Sequence, residues 1–447
     1  TIFITMRDGE VAKNILLSEV YPSLQSQARI VIFVPQRKIA YFQKKFAALN
    51  FHVEAIPNAS FPRIEEAFSD LFLYSLHTKS IWTKIENSYF SGGSMAGRTI
   101  KKALWFFGQW YFLRWFWRVI YRLIPDYSFN QLFAVYHPDL VFAANLIANE
   151  DARLLKTARR FGVKSIGMPK GWDNLTLKTF LSVFPDWLLV QTKPMEDDAR
   201  SLDYPANRIA VVGFPKFDVY TRRELLMPRE EFLKKLGLDP AKKTILYAGA
   251  GDQLAPYDEE ILRDFLAAVV VGKFGVPLQL IVRPHPKYHY RKEIIPASSD
   301  WVYDRPGTIV GTTEDDFEFE EKDIAHLMNS LAHCDLLIHT ASTLGIEAAI
   351  FDKPAITIAF DGSQKVHPAV SVTRYYDYVH YQRVLAAGGM KVAKSFGDLL
   401  RLTNEYLLNP QLDREGRKKM AEENTYRIDG KAGERVASFI LTKLESS

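Results

Sequence analysis

The stretch Asp335–Phe360 reads D-L-L-I-H-T-A-S-T-L-G-I-E-A-A-I-F-D-K-P-A-I-T-I-A-F and decides the fold class of the chain. Its apolar start, residues 336–338, suits a buried parallel strand, and residues 344–351 have the composition of a helix. Residues 355–359 return to an apolar run of strand length. Two strands separated by a helix within so few residues predict a βαβ unit of a parallel sheet.

The polar turn between that strand and helix is a candidate phosphate site. Four of its residues carry side-chain donors, namely His339, Thr340, Ser342 and Thr343. The first N–H groups of a helix are unpaired and lie at the positive end of its dipole, so a diphosphate fits there. The alternative is that Thr340 or Ser342 only caps the helix.

A second group of donors ends the sequence L-Q-L-I-V-R-P-H-P-K at residues 278–287. Prolines separate Arg283, His285 and Lys287, and they stop both the strand and any helix directly after it. Ligands of open α/β sheets bind at the carboxyl ends of strands. We therefore expect these side chains to stabilise an anionic leaving group, with plain surface charge as the alternative for Arg283 and Lys287.

Two carboxylates follow the first predicted strand, in the turn M-R-D-G-E. A general base must be held by the backbone opposite the donor phosphate, and a glycine between two carboxylates at a strand end suits that role. Asp8 is the first candidate for the base and Glu10 the second. The alternative role for Asp8 is to cap the next helix.

Two more strand ends in the first half supply candidate acceptor contacts. In M-P-K-G-W-D-N-L-T, Trp172 offers a stacking face, and Asp173 and Asn174 offer hydrogen bonds to hydroxyl groups. A turn or cap role is the alternative for Asp173 and Asn174. In G-F-P-K-F-D, Lys216 is placed to reach the same cleft.

Length and composition bound the class of protein. The 447 residues, 47% of them hydrophobic, exceed one ordinary core and predict two domains of roughly 200 residues each. The net charge of +5 is mild, and without an RNA- or DNA-binding signature no nucleic-acid partner is expected. The single cysteine, Cys334, excludes an intramolecular disulfide and fits a reducing cytosol. The strand-like opening, residues 1–5, lacks the pattern of a secretory signal.

Apolar runs alternate with helical segments along both halves, which predicts two doubly wound, mostly parallel sheets. The predicted domains are 1–220, with a mainly helical insertion at 57–136, and 241–400. A linker is expected at 221–240, and helices at 401–447. The predicted strands are residues 2–5, 29–34, 53–56, 140–143, 165–168, 187–191, 209–212, 244–248, 278–282, 336–338 and 355–358.

Within the insertion, Arg98–Ile124 combines many aromatic and basic residues with no acidic residue. Its uncharged core, residues 103–113, is too short to cross a bilayer, which takes about 20 residues. Arg114, Arg118 and Arg122 form one helical stripe, as expected of a helix lying in an anionic membrane interface. Burial against a partner subunit or in an aromatic core is the alternative. The aromatic residues assigned to the interface are Trp105, Trp110, Trp115 and Trp117.

In order along the chain, R-D-G-E, W-D-N-L-T, G-F-P-K-F-D, R-P-H-P-K and H-T-A-S-T-L-G-I-E-A resemble the GT-B superfamily of nucleotide-sugar-dependent glycosyltransferases. Within it, the chain is most similar to bacterial surface-polysaccharide transferases and CDP-glycerol glycerophosphotransferases. The resemblance covers most of the chain. It implies two Rossmann-like domains facing a cleft, an acceptor site in the first, a nucleotide donor site in the second, and a final helix that crosses back.

The resemblance also implies roles for individual residues. Glu347 would hold the nucleotide ribose. Arg7 would lie in the acceptor site, where the similar sialyltransferases and Kdo transferases carry an acidic residue before their acidic-Gly base motif. Because GT-B enzymes need no metal, neither a metal site nor a cofactor is expected besides the nucleotide-activated co-substrate.

These patterns predict a glycosyltransferase that moves a sugar from a nucleotide-activated donor to a hydroxyl of a lipid-linked or surface-glycan acceptor. Asp8 or Glu10 would deprotonate the acceptor, while His285 and the basic donors stabilise the departing phosphate. A cytoplasmic position at the inner face of the plasma membrane is expected. The alternatives are a CDP-glycerol-type glycerophosphotransferase, a nonhydrolysing nucleotide-sugar 2-epimerase, and a membrane-bound carbohydrate-binding or assembly protein.

Overall fold

Short apolar runs form the parallel strands on which both halves of the chain are built. The computed structural model describes residues 1–46, 50–251, 254–285, 290, 298–305, 307–310 and 317–445. The chain divides into two units. The N-terminal unit comprises Thr1–Asp218, Val310–Glu318 and Thr425–Ser447, and the C-terminal unit comprises Val219–Ile309 and Phe319–Asn424.

The N-terminal unit contains a parallel sheet of seven strands in the order β3-β2-β1-β4-β5-β6-β7. The order reverses between β1 and β4, as in Rossmann-type sheets, so this pair is the switch point of the unit. The strands are β1 (Ile2–Thr5), β2 (Ile30–Val34), β3 (Phe51–Ala55), β4 (Leu140–Ala143), β5 (Lys164–Gly167), β6 (Trp187–Val190) and β7 (Ile209–Val211).

Helices connect these strands, and five of them form the insertion between β3 and β4. The helices up to β7 are α1 (Gly9–Ile15), α2 (Val20–Gln25), α3 (Ile39–Lys45), α4 (Pro62–Tyr74), α5 (Lys79–Phe90), α6 (Met95–Phe107), α7 (Tyr111–Leu123), α8 (Asn130–Tyr136), α9 (Asn149–Phe161), α10 (Asn174–Leu177) and α11 (Lys193–Ser201). The insertion is therefore helical, as its sequence predicts.

The C-terminal unit contains a parallel sheet of six strands in the order β10-β9-β8-β13-β14-β15. Its order reverses between β8 and β13, which is the second switch point. The strands are β8 (Lys243–Ala248), β9 (Leu278–Val282), β10 (Trp301–Tyr303), β13 (Leu336–His339), β14 (Ala355–Ile358) and β15 (Lys391–Ala393). Two short strands lie outside the main sheets, β11 (Thr308–Ile309) and β12 (Phe317–Glu318), and β12 is part of the N-terminal unit.

The helices of the second half complete the fold. They are α12 (Arg229–Lys235), α13 (Asp258–Val270), α14 (Glu321–His333), α15 (Leu344–Ile350), α16 (Val379–Ala386), α17 (Phe396–Leu408), α18 (Arg414–Thr425) and α19 (Ala432–Glu445). Of these, α19 belongs to the N-terminal unit, where buried Asp218 accepts the N–H groups of Ala432 and Gly433 at its start. Short 3₁₀ turns occur at Gln36–Lys38, Ala206–Arg208, Pro215–Thr221, Arg223–Leu225 and Val372–Asp377.

Each sheet lies in the core of its own unit. All residues of β1, β2 and β4 are buried in the N-terminal unit, and the same holds for β9, β13 and β14 in the C-terminal unit. Strands buried on both faces read as continuous apolar runs, which made them visible in the sequence. The predicted fold class, two Rossmann-like parallel sheets, is confirmed.

Several boundaries differ from the sequence-based prediction. The edge strands β10 and β15, of three residues each, were not predicted, whereas the equally short edge strand β7 was. Residues 221–240, expected as a linker, lie within the C-terminal unit and contain α12. The same unit extends past residue 400 to Asn424.

Two of the three residues of the basic stripe of α7 do not face outward, while the third, Arg122, is exposed. Arg114 and Arg118 are buried, with relative exposures of 9% and 6%, and both pair with Asp203 at 2.5 and 2.9 Å. Arg118 also donates to the carbonyl groups of Phe180 and Leu202, each at 2.8 Å. Burial alone would raise the pKa of Asp203, but the two guanidinium groups lower it below its usual value. The expectation that Arg114 and Arg118 contact an anionic membrane is therefore wrong, since they fix α7 to its own domain.

The predicted interfacial tryptophans divide between the two faces of the insertion. Trp105 donates to the Thr78 carbonyl at 2.8 Å and stacks on His77, and Trp117 is half-buried. Trp110 and Trp115 are 41% and 51% exposed. They belong to a set of neighbouring exposed aromatic residues, here called the aromatic shelf. Its members are Phe106, Phe107, Trp110, Tyr111, Phe112, Trp115 and Phe116.

Within the described ranges, the search for membrane-crossing helices finds none that combines the necessary length and apolar content. The sequence argument that Arg98–Ile124 does not span a bilayer as one helix agrees with this finding. The segment instead forms α6 and α7, joined at Gly108–Trp110.

Removal of the Asp203 charge should destabilise the N-terminal unit strongly. In Asp203→Asn two buried guanidinium groups lose their counter-charge, and we expect a loss of about 3 kcal/mol of unfolding free energy. Asparagine tolerates the left-handed backbone of this position, where φ is +72°, so the effect reports the charge. Urea unfolding measures it. The exposed Asp197 on α11 gives the matched control, Asp197→Asn, whose change should stay within about 0.5 kcal/mol; equal effects of the two substitutions would contradict the structural role of the pair.

Candidate functional site

The carboxyl ends of β1 and β4 meet at the switch point of the N-terminal unit. Thr5, the last residue of β1, donates a short hydrogen bond to Asp151 at the start of α9. Asp151 also accepts the N–H groups of Asn145 and Leu146 at 2.9 and 2.6 Å, which shapes the turn after β4. Burial, followed by the nearby Glu150 charge, raises the pKa of Asp151 to about 7. Asp151 is fully buried and serves the turn rather than a ligand.

Arg7, predicted to contact the acceptor, lies at this edge. Its guanidinium donates to both carboxylate oxygens of Glu150, at 3.1 and 3.0 Å. The Arg7 side chain remains 58% exposed while Glu150 is 5% exposed. The buried Glu150 carboxylate therefore orients the Arg7 guanidinium, and most of the Arg7 side chain remains accessible to solvent or a ligand.

Asp8 combines the two roles that its sequence position suggested. One carboxylate oxygen caps α1 by accepting the Val11 N–H at 3.2 Å, and the other pairs with Lys170 Nζ at 2.5 Å. About a third of the Asp8 side chain stays exposed, at 32%. Lys170 is positioned because Asn14 donates to its carbonyl oxygen at 3.2 Å and Gln191 donates to the preceding Pro169 carbonyl.

Glu10 lies among lysines. Lys216 Nζ is 3.3 Å from a Glu10 carboxylate oxygen, as expected of a residue at the end of β7. Burial alone would raise the pKa of Glu10, but Lys216, Lys13 and Lys170 lower it to about 2. Glu10 is thus ionised at neutral pH and is a weaker proton acceptor than an ordinary carboxylate.

Gly9, between these carboxylates, permits a close approach of the chain. A Cβ atom there would lie 3.0 Å from the Phe317 carbonyl oxygen and 3.2 Å from a Glu318 carboxylate oxygen. Glu318 pairs with buried Lys38 at 2.6 Å, although burial raises the pKa of Glu318. The glycine of the R-D-G-E motif therefore favours this close packing in the N-terminal unit, where a larger residue would be crowded.

The turn after β5 holds the other predicted acceptor residues. Asn174 is 1% exposed and accepts the Gly171 N–H at 2.9 Å, so it stabilises the turn and does not face a ligand. Asp173 starts α10, accepts from Asn174 at 3.1 Å and lies 3.5 Å from Lys178. The alternative given above, that these residues stabilise a turn and do not contact the acceptor, describes Asn174 fully and Asp173 in part. Trp172 is half-buried on the same turn.

The carboxyl ends of β8 and β13 form the switch point of the C-terminal unit. After β8, Gly249 passes so close to Tyr290 and Asp258 that a Cβ would lie 1.6 and 2.0 Å from their oxygen atoms. Asp258 is buried and accepts from the Gly251 N–H at 3.2 Å and the Tyr290 hydroxyl at 2.5 Å. This turn did not emerge from the sequence reasoning, although its signal, G-A-G directly after an apolar strand, is readable.

The turn after β13 is shaped by His339, which is fully buried. Its Nδ1 accepts the Ser342 N–H at 3.2 Å, and burial lowers its pKa to about 3, so the ring is neutral. Ala341 adopts a left-handed backbone, with φ of +41°, and donates its N–H to Thr357 at 3.2 Å. His339 therefore stabilises the turn from inside the unit, and its Nε2 has no hydrogen-bond partner within the described residues.

The remaining residues of this turn differ in their accessibility. Ser342 and Thr343 are half-buried. The Ser342 hydroxyl accepts the Leu344 N–H at 3.3 Å, which corresponds to the helix-capping role given above as its alternative. Thr343 donates to Glu347 at 3.3 Å, and Glu347, 4% exposed, also accepts a short hydrogen bond from Tyr220. Glu347 is thus engaged inside the unit, which argues against the implied ribose contact. The Thr340 hydroxyl is buried and has no hydrogen-bond partner within the described residues.

The basic motif after β9 is only partly available to a ligand. Arg283 is 5% exposed and forms an ion pair with Asp304, which follows β10. His326 Nε2 lies 3.0 Å from Asp304. Burial would raise the pKa of Asp304, but His326 and Arg283 hold it below its usual value. Arg283 therefore positions the β9 and β10 ends and is not a free phosphate donor, contrary to expectation.

His285 follows this pair and is partly exposed, while Lys287 lies outside the described residues. The β9 and β13 strands flank β8, so their ends are separated by two strand spacings, roughly 10 Å. The turn at Gly249–Gly251 occupies the position between them. Among the described residues, no group of three or more His, Cys, Asp or Glu side chains suitable for a metal ion is found.

Sequence reasoning missed the cations of the N-terminal site and the partners of the C-terminal one. Lys170 lies inside the quoted motif M-P-K-G-W-D-N-L-T but was passed over, and Lys13 stands one helical turn after Glu10. Asp304 has no local signal because it follows a strand of three residues. Lys13 is a local partner of Glu10 on α1, whereas Lys170 and Asp304 follow other strands, which only the strand order brings next to their partners.

The fold and the polar turns at its two switch points define a GT-B-type protein. A sequence model of the family CDP-glycerol:poly(glycerophosphate) glycerophosphotransferase matches residues 186–442. The match covers more than half of the chain, and the protein belongs to this family. It is therefore a transferase that uses a nucleotide-activated donor, which confirms the predicted function at this level.

Known structures agree with the fold at low sequence identity. The S. aureus MnaA structure with UDP has 12% identity and a TM-score of 0.57, covering 99% of this chain and 96% of that one. UDP-GlcNAc 2-epimerase from Neisseria meningitidis, bound to UDP-GlcNAc, gives the same identity and score with 99% coverage of both chains. A variant of the wall teichoic acid polymerase TagF has 12% identity and a TM-score of 0.53, covering 100% and 89%. No curated protein sequence matches the chain.

His339 should give the C-terminal unit a specific pH dependence of stability. Its pKa is about 3 when folded against 6.5 for an ordinary histidine, so below pH 6.5 the unfolded chain binds a proton that the native chain does not. Stability is therefore complete above that value and falls as the pH drops, by about 2 kcal/mol at pH 5. In His339→Asn, whose amide oxygen still accepts the Ser342 N–H, this loss should disappear.

Urea unfolding at pH 7 and pH 5 measures the difference between the two proteins. His367, exposed on the same unit, supplies the control variant His367→Asn, which should keep the wild-type pH dependence. Identical pH dependence of wild type and His339→Asn would show that His339 is not held neutral by burial.

Proposed function

We propose that the protein transfers a glycerophosphate-type group from a CDP-activated polyol to a hydroxyl of a phosphodiester polymer or lipid-linked acceptor. The family match over residues 186–442 carries this proposal. That range contains the turns after β8, β9 and β13. In the reaction, the acceptor oxygen bonds to the phosphorus that bears the polyol, the bond from that phosphorus to the CMP oxygen breaks, and CMP leaves.

The donor side of the proposed reaction belongs to the switch point of the C-terminal unit. Ser342 and Thr343 offer their backbone and hydroxyl groups to the donor phosphates, and the Thr340 hydroxyl, which lacks a partner within the described residues, supports the same site. His285, partly exposed after β9, donates to the leaving phosphate. Arg283, held by Asp304, is a positioning residue. In this proposal these hydrogen-bond donors, and not a metal ion, neutralise the negative charge that develops on the departing CMP phosphate.

The acceptor side belongs to the switch point of the N-terminal unit. Asp8 is the base in this proposal, because the surrounding lysines lower the pKa of Glu10 to about 2, so that Glu10 accepts a proton less readily than an ordinary glutamate. Lys170 and Lys216 lie beside the two carboxylates and supply positive charge for a phosphodiester acceptor. Arg7, accessible above Glu150, adds a further cation.

The aromatic shelf supports a peripheral position on the inner face of the plasma membrane. Large contiguous apolar surfaces are rare on soluble monomers and mark a contact with another apolar phase. Phe112 and Tyr111 are 63% and 59% exposed at the start of α7. In this proposal, the shelf inserts among lipid headgroups and keeps the chain close to a lipid-linked acceptor.

The two carboxylates after β1 should differ sharply in their effect on transfer. Asp8→Asn removes the base but keeps an effective helix cap, and we expect turnover to fall by about 100-fold or more. Glu10→Gln is its matched control, isosteric and two residues away, and should lower turnover by less than about tenfold. Initial rates of CMP release measure both, with thermal midpoints to show that the variants fold. The opposite ranking would assign the base to Glu10.

The leaving group distinguishes the proposed reaction from its alternatives. The purified chain is incubated with CDP-glycerol or UDP-GlcNAc and a glycerophosphate oligomer, with and without EDTA. We expect CMP release from CDP-glycerol, insensitive to EDTA, and a loss of at least roughly 100-fold in His285→Ala. UDP release would instead show glycosyl transfer, conversion of UDP-GlcNAc to its 2-epimer would show an epimerase, and no turnover of either donor would favour a binding protein.

A further inference from the structure

A cavity of about 580 Å³ lies beside α7 in the N-terminal unit, and its lining residues are distinct from those described above at the switch point of that unit. It is rich in cations and in aromatic side chains, and Asp186 is its acidic lining residue. The cationic lining residues are Arg118, Arg122, Arg159, Lys164 and Arg208.

The positive charge of the cavity is largely unbalanced. Arg118 is already committed to Asp203, and Asp186 accepts the backbone and hydroxyl donors of Ser165, each at 2.9 Å. No ion pair of the other four cations occurs within the described part of the chain. Burial and, next, the charge of the Arg159 guanidinium lower the pKa of Arg122, and both side chains line the cavity. An anion at this position would relieve their repulsion.

The apolar lining of the cavity is continuous with the aromatic shelf. Tyr111 and Trp115 line the cavity and are also members of the shelf, and Phe184 completes the aromatic wall. A ligand that fits both the cationic and the aromatic part of the lining carries a phosphate group joined to an apolar group. An anionic phospholipid has both, with its phosphate at the depth of the interfacial aromatic residues.

We propose that this cavity binds the phosphate of an anionic glycerophospholipid headgroup in the membrane on which the aromatic shelf docks. The proposal rests on the membrane docking proposed above, and it names the lipid class that gives the docked protein a fixed position. Arg122, Arg159 and Arg208 contact the phosphate, while Tyr111 and Trp115 pack against the start of the acyl region.

The test is calorimetric titration of the full chain with short-chain phosphatidylglycerol below its micelle-forming concentration. We expect saturable binding at one site, and binding of short-chain phosphatidylcholine that is weaker by about tenfold or more. Inorganic phosphate should also bind more weakly than phosphatidylglycerol, because it gains no aromatic contact. Equal binding by phosphate would overturn the assignment to a lipid.

Paired variants locate the binding in the cavity. Arg159→Gln combined with Arg208→Gln should weaken phosphatidylglycerol binding by roughly tenfold or more. The exposed Lys44 and Arg63, on α3 and α4 outside the cavity lining, give the control Lys44→Gln with Arg63→Gln, which has the same change in net charge and should bind as wild type. Unchanged binding in the cavity variant, or an equal loss in the control, would overturn the proposal.

Two further measurements separate a failure of this proposal from a failure of the proposed function. Phe112→Ser combined with Phe116→Ser tests docking, and it should abolish flotation with phosphatidylglycerol vesicles while short-chain lipid still binds. CMP release with a soluble acceptor should be unchanged in the cavity variant, because its substitutions lie outside the strand-end sites. Flotation that persists in the Phe112→Ser and Phe116→Ser variant would refute membrane docking through the aromatic shelf, even if the cavity binds the short-chain lipid.

Discussion

The parallel arrangement of the strands is the constraint on which the rest of the structure depends. Strands buried on both faces have no room for polar side chains, so the functional polar residues follow the strands, and parallel packing collects those positions at one edge. Where the strand order reverses, between β1 and β4 and again between β8 and β13, the connections that follow the two strands run in opposite directions and leave a crevice between them. Both candidate sites lie where this geometry leaves the backbone accessible.

At both sites, ion pairing decides which charged residues are available for chemistry. Arg283 and Glu347 have suitable chemistry and suitable sequence positions, but Asp304 and Tyr220 engage them inside the C-terminal unit. At the N-terminal site, the lysines around Glu10 make it a stronger acid than an ordinary glutamate. A buried charge must be paired to be stable, and the pairing that stabilises it also sets its acidity.

The sequence was sufficient for the architecture but only partly for the sites. Continuous apolar runs predicted every strand of the two sheets except β10 and β15, each of three residues. The motifs do follow strands, as expected, because a strand end is a local property of the sequence. Whether a residue such as His339 points into the turn or out of it depends on neighbouring strands, and no local pattern carries that information. The same reason hid Lys170 as the partner of Asp8.

Helix α7 shows how a correct pattern led to an inverted orientation. Its basic stripe and its aromatic face are both present, but Arg114 and Arg118 of the stripe are inside, where Asp203 and backbone carbonyl groups accept their hydrogen bonds. A helix usually buries its apolar face, because each Å² removed from water is worth about 25 cal/mol. The N-terminal unit instead leaves that face outside and stabilises α7 by costly buried charges. In the membrane docking that we propose, a second apolar phase covers the aromatic shelf and offsets the cost of leaving this face outside.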